Sequence, residues 1–144
     1  MTSRDTPADT RSDFPHLLEI QTRWADNDAY GHVNNVVYFA YFDTIINRFL
    51  IDHGLDIHGE AIGLCVESQC RFFRPLAFPE RVEAGLRVSK LGSSSVTYQV
   101  GIFGGAGLAA LGDFVHVFVD QRTRRPVPIP DSLRAALQRL SRAG

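Results

Sequence analysis

The chain has 144 residues, 44% hydrophobic and 22% charged, enough for one domain with a real core and outside the range of disordered chains. Its net charge of −1 excludes a dedicated nucleic-acid binder on electrostatic grounds. Two cysteines, Cys65 and Cys70, cannot make a disulfide framework, and no Cys/His cluster has zinc spacing, so no metal is expected.

Residues 1–14 are polar, with Asp5, Asp9 and Asp13, and lack the apolar core of a signal peptide. They read as a flexible tail before a single domain over 15–144. Leu18, Ile20, Thr22 and Trp24 alternate with Glu19, Gln21 and Arg23, which predicts a half-buried strand.

The next stretch, Asp26-Asn27-Asp28-Ala29-Tyr30-Gly31-His32-Val33-Asn34-Asn35, crowds carboxylates, an imidazole and amides just before an apolar run. A helix start offers unpaired N–H groups and partial positive charge, which can hold an oxyanion and keep a carboxylate ionised. This is the candidate active site.

Residues 36–51 are mostly apolar, with no clean polar face. Asn34 and Asn35 suit a helix start and Gly54 its end, so a helix buried on nearly all sides is expected. Asp43, Thr44, Asn47 and Arg48 interrupt it, and it is too short and polar to span a bilayer. A protein away from membranes, in the cytoplasm, is the expectation.

Four strands should follow: 61–73, ended by Arg74-Pro75; Val82 to Val88; Val96 to Ile102, after the turn Leu91-Gly92-Ser93-Ser94; and 108–120, apolar on both faces. Odd spacing on the first of these should turn Cys65 and Cys70 to opposite faces, as buried free thiols. Glu67 and His116 lie inside apolar patterns and read as satisfied interior groups or interface contacts. Short turns imply antiparallel neighbours. After a proline-rich extended stretch, Asp131 should cap a short helix to about residue 142. One helix covers one face of a five-stranded sheet, so the last strand's second apolar face calls for a second subunit.

Arg23-Trp24-Ala25-Asp26-Asn27-Asp28-Ala29-Tyr30-Gly31-His32-Val33-Asn34-Asn35 with Tyr38 and Phe42 resembles the 4-hydroxybenzoyl-CoA thioesterase-like branch of the hotdog-fold acyl-CoA thioesterases. Phe72-Phe73-Arg74-Pro75, Lys90 to Ser95, Val119-Asp120, Pro126 and Pro130 agree in order, so the likeness covers roughly residues 16–140. It implies an α+β hotdog fold: a five-stranded antiparallel sheet wrapped around a long central helix, with a short C-terminal helix. It also implies homodimers, extending to homotetramers, with acyl-CoA entering along the dimer interface and no cofactor beyond the coenzyme A of the substrate.

The resemblance places the catalytic carboxylate at Asp28 and the thioester-polarising backbone amide at Asn35. Whether Asp28 acts as general base or nucleophile stays open. Asp26, two residues away, could swap roles with Asp28, but reads first as a helix cap or loop brace. His32 is either a structural loop histidine or a site residue, and Asn34 caps the helix beside the substrate. Tyr38 is core or substrate contact. Lys90, Gly92, Ser93 and Ser94 are candidates for holding coenzyme A, the bland alternative being a hairpin turn. Arg71 and Arg74 are weaker candidates for holding coenzyme A, and read first as a solvated strand edge. Arg122, Arg124 and Arg125 are either solvated or phosphate-facing on a partner subunit. A hydratase would want a helix histidine, which 36–51 lacks. The alternative from another class is a non-catalytic acyl-CoA or acyl-ligand binding module.

Overall fold

A computed structural model describes residues 9–141. Strand β1 (His16–Gln21) leads through a loop to helix α1 (Asn35–Asp52). Strands β2 (Ala61–Phe72), β3 (Arg81–Leu91), β4 (Ser95–Gly104) and β5 (Gly107–Asp120) follow, and helix α2 (Asp131–Leu140) ends the fold. All strand pairs are antiparallel and the sheet order is β1-β3-β4-β5-β2, so β2, the second strand in sequence, forms a free edge.

The inner face of the sheet packs on α1. Tyr38, Tyr41, Phe42, Ile45, Ile46, Phe49 and Leu50 on the helix meet Leu86, Val88, Tyr98, Val100, Ile102, Phe114 and Phe118 on the strands. Gly112 leaves the hollow that the Phe42 ring fills; a Cβ there would overlap the ring. Burial on this scale is the main stabilising term, each fully buried large apolar side chain contributing about 1.5–3 kcal/mol.

Four features depart from the sequence reading. First, α1 is not buried all round. Val36, Ala40, Asp43, Thr44, Arg48, Ile51 and Asp52 form an exposed stripe, because one sheet covers only one side of the helix. Second, the outer face is partly closed by the chain itself. Of the expected tail, residues 1–8 lie outside the described residues, but Arg11–Asp13 form a 3-10 turn and Phe14 is buried in a second cluster with Phe73, Phe103, Leu108 and Leu111. Gly85 and Gly101 leave the notch it occupies, and the Arg87 guanidinium lies 4.4 Å over its ring. So part of the second apolar face of β5 finds its cover without a second subunit.

Third, a bulge at Val66 shifts β2. Cys65 pairs with His116 and Cys70 with Gly112, four residues apart on β5, so both thiols share the helix-side face rather than opposite ones. Cys65 is exposed rather than buried, and both are free. Fourth, Trp24 leaves the strand for a 3-10 turn and is 75% exposed, and Pro130 rather than Asp131 is the N-cap of α2. No described helix is long and apolar enough to cross a membrane.

Candidate active site

The loop between β1 and α1 is pinned from below by Asp26. This carboxylate is 1% exposed and accepts hydrogen bonds from the Arg23 N–H (2.9 Å), the Arg23 guanidinium (2.9 Å) and the Tyr41 hydroxyl (2.8 Å). Burial works to raise its pKa, but these donors outweigh it and the carboxyl sits below its usual range. The Tyr41 bond ties the loop to the second turn of α1, and the Asn34 N–H donates to the Asp26 carbonyl at 2.9 Å. Asp26 is therefore a brace, as its motif position suggested.

Above this brace the chain reverses. The Asp28 N–H donates to the His32 carbonyl (2.9 Å) and the Gly31 N–H to the Asp28 carbonyl (3.0 Å), with Gly31 at φ 83°, a region that suits glycine. The Val33 N–H donates to the Leu76 carbonyl (2.7 Å) and the Phe78 N–H to the Asn27 side-chain oxygen (3.0 Å), docking the loop on the β2–β3 connection.

The reversal sets Asp28 beside the start of α1. One carboxylate oxygen accepts from the Tyr30 N–H at 2.9 Å, and the other lies 3.5 Å from the Asn34 amide nitrogen. The oxygen of that same Asn34 amide accepts the Val36 N–H at 3.0 Å, capping the helix. One amide thus links the carboxylate to the helix start. The Asn35 N–H, in the first turn, has no acceptor among the described residues.

Asn35 also faces a cavity of about 270 Å³, walled by His32, Val33, Tyr38, Phe72, Phe73, Arg74 and Pro75. The Tyr38 and Phe72 rings meet edge to face at 5.0 Å. Burial, with smaller contributions from Cys70 and Glu80, pushes the Tyr38 hydroxyl up to about 12, so it remains a neutral hydrogen-bonding group near neutral pH. Tyr38 is both core and cavity wall. Asp28 stands beside this cavity rather than in its wall.

The fold therefore gathers Asp28, His32, Asn34, Asn35 and Tyr38 at one end of the sheet. It does not bring Lys90, Gly92, Ser93 and Ser94 there. Ser95 pairs with Val117, which pairs with Leu64; Ile102 pairs with Ala110, which pairs with Phe72. The β3–β4 turn thus lies at the far end of the same sheet. There Arg134 of α2 donates to the Gly92 and Ser93 carbonyls, the Ile129 N–H to the Ser93 carbonyl and the Phe118 N–H to the Ser94 carbonyl. Phe72, Phe73, Arg74 and Pro75 were not singled out as cavity walls. Their signal was the Phe-Phe-Arg-Pro string ending a strand, whose return to the helix start depends on strand order. Among the described residues no group of three or more His, Cys, Asp or Glu side chains could hold a metal ion.

His116 and Glu67 fall outside this site. His116 is 2% exposed, 3.1 Å from the Tyr98 hydroxyl, and burial lowers its pKa to about 4. Glu67 is exposed on the β2 edge, 3.4 Å from the Gln69 amide.

Comparison with known proteins agrees with this architecture. Residues 22–137 match the family model of the thioesterase-like superfamily. The crystal structure of the PA5185 protein from Pseudomonas aeruginosa PAO1 is similar at a TM-score of 0.92 and 53% identity, over 96% of this chain and 99% of that one. A thioesterase from Thermus thermophilus, crystallised with coenzyme A and zinc, is similar at a TM-score of 0.76 and 27% identity, over 87% and 98%. The 1,4-dihydroxy-2-naphthoyl-CoA hydrolase of Microcystis aeruginosa is 29% identical over 81% of this chain and 88% of its own. With a five-stranded antiparallel sheet around a long helix and a match over most of its length, the chain belongs to the thioesterase-like superfamily, as a hotdog-fold thioester hydrolase.

Proposed function

We propose that the protein hydrolyses acyl-CoA thioesters to the free acid and coenzyme A, at the start of α1. The observation that carries this reading is the Asn34 amide shared between the Asp28 carboxylate and the helix cap, next to Asn35, which lines an apolar cavity and whose N–H has no acceptor among the described residues.

A thioester carbonyl is electrophilic enough that hydrolysis needs only an activated attacker and a place for the oxyanion. Asp28 supplies the first, as general base toward water or as nucleophile. The Asn35 N–H and the positive end of α1 supply the second; losing one oxyanion donor typically costs about 10²–10³ in rate. The acyl group sits among Tyr38, Phe72 and Phe73, and His32 at the rim positions the thioester. The relative that hydrolyses 1,4-dihydroxy-2-naphthoyl-CoA makes an aryl acyl group a first candidate.

The working unit is a homodimer, with tetramers built from dimers. β2 is an edge strand of 12 residues with Leu64 and Val66 exposed, and Val36 of the α1 stripe is exposed too. A long, apolar, unpaired edge is a template for another strand, and a second copy in antiparallel register satisfies its backbone. Coenzyme A then runs along the seam, where the partner's Lys90 and Gly92–Ser94 turn reaches it. We place the enzyme in the cytoplasm, the reducing setting that suits its free thiols.

The test is a panel of aryl- and alkyl-CoA thioesters with released thiol measured, on wild type and Asp28→Asn. Turnover that Asp28→Asn abolishes supports the reading. Tight acyl-CoA binding without turnover would instead make the protein a binding module.

A further inference from the structure

Phe72 and Phe73 close the same cavity from opposite layers of the protein. Strand alternation sends the Phe72 ring inward, against Tyr38 at 5.0 Å. It sends Phe73 outward, into the buried cluster of Phe14, Phe103, Leu108 and Leu111. Of those five residues Phe73 is the one that also walls the cavity. Its N–H and that of Arg74 donate to the Ala109 carbonyl, at 2.7 and 3.1 Å, and past the wall the Leu76 carbonyl holds the Val33 N–H. Between those ties the wall stands where the Phe73 ring is seated.

The N-terminal segment completes that seat. Residues 9–14 precede the part of the chain that the superfamily model matches. Arg11 pairs with Glu83 at 2.7 Å, donates to the Gly104 carbonyl at 3.2 Å and stands 5.0 Å over the Phe103 ring. Arg87 of β3, its side chain 11% exposed, pairs with Asp9 at 3.1 Å and covers the Phe14 ring. Phe14 in turn meets Phe103 edge to face at 5.7 Å. A Cβ on Gly85 or Gly101 would come within 2.8 Å of Phe14, so β3 and β4 are bare where its ring sits.

Two ion pairs and two ring–guanidinium contacts thus fasten a plug whose cluster includes a wall of the catalytic cavity. Close-packed interiors transmit strain, and a cluster that loses one ring relaxes into the void. Phe73 moving toward the vacated notch draws the wall away from Tyr38 and the start of α1, and the cavity widens.

We propose that the N-terminal segment, through Phe14, positions Phe73 and so sets how large an acyl group the cavity accepts. The inference rests on the acyl-CoA hydrolase reading above. Phe14 is a positioning residue, since it does not line the cavity itself.

The test measures kcat/KM for 2-naphthoyl-CoA and benzoyl-CoA in wild type, Phe14→Leu, Phe14→Ala and Leu137→Ala. Leu137 is fully buried in α2, at the other end of the sheet, so its variant loses comparable packing without touching the outer cluster. The ratio of the two values is blind to the folded fraction, so lost stability alone cannot move it. Phe14→Ala should raise the ratio of naphthoyl to benzoyl turnover about tenfold, the scale on which one carbon group changes discrimination in an apolar pocket. Phe14→Leu, which keeps part of the plug and folds more readily, should raise it less, and Leu137→Ala should leave it alone. An unchanged ratio in the Phe14 variants, or an equal rise in Leu137→Ala, overturns the proposal. If wild type cleaves neither aryl thioester, the hydrolase reading is answered by its own panel, and amide hydrogen exchange decides here. The Phe73 and Arg74 N–H groups should then exchange about tenfold faster in Phe14→Leu than in Leu137→Ala, each set against that variant's slowest strand amides. Equal exchange sinks the coupling.

Discussion

At the scale of single residues, Asp28, Asn34 and Val36 share a short relay from carboxylate to amide to helix N–H. Asp28→Asn keeps the shape and removes the base or nucleophile, so kcat should fall at least about 10³-fold with KM little changed, checked by steady-state kinetics. Asn34→Ala removes both the contact to Asp28 and the cap; it should cost about 1 kcal/mol of stability and lower kcat, read by denaturant unfolding and turnover together. Asp26 is different. Asp26→Ala strands the Tyr41 hydroxyl in a buried site, and a loss of about 2–4 kcal/mol in chemical denaturation is expected.

His116 gives a pH signature with a definite sign. In the fold its pKa is depressed to about 4, whereas unfolded it returns to the ordinary 6.5. Between those values the unfolded chain binds the proton and the folded chain does not, so stability falls as pH drops from about 6.5 to about 4. Full development of that difference is worth about 3 kcal/mol. His116→Phe, flanked by Phe114 and Phe118, should lower stability at pH 7 by freeing the Tyr98 hydroxyl, yet flatten the slope across that window. Urea titrations at a series of pH values will show it.

At the scale of elements, the outer face is held by one aromatic plug. Phe14→Ala empties the notch over Gly85 and Gly101 and frees Arg87 from its ring; a loss of about 3–5 kcal/mol in thermal or chemical unfolding is expected. This plug was not legible in the sequence, since a lone Phe after a polar stretch carries no period. The elements themselves were. Alternation in 82–88 and 96–102 and the Asn34 cap gave the strands and the helix start closely. The Val66 bulge was not, because an extra residue inside an apolar run leaves no mark until its partner strand is known. The exposed stripe of α1 was missed for a related reason: the apolar Val36, Ala40 and Ile51 on the outer side hid its polar face, which only Asp43, Thr44, Arg48 and Asp52 betray. The site loop was readable because its chemistry is local in sequence. The cavity wall from Phe72 to Pro75 was not, because it arrives through strand order.

At the scale of the whole molecule, the free β2 edge organises the proposed assembly. Val66→Arg sets a cation near the two-fold axis facing its own copy, so sedimentation should report a shift toward monomer. Turnover at low acyl-CoA should fall with it while far-UV circular dichroism is kept.

The double duty of the Asn34 amide has a thermal consequence. The first turn of a helix is where fraying begins, and each fraying event there would let go of the carboxylate at the same moment. Warming should therefore silence the enzyme several degrees before the sheet melts, and cooling within that interval should bring the rate back in full.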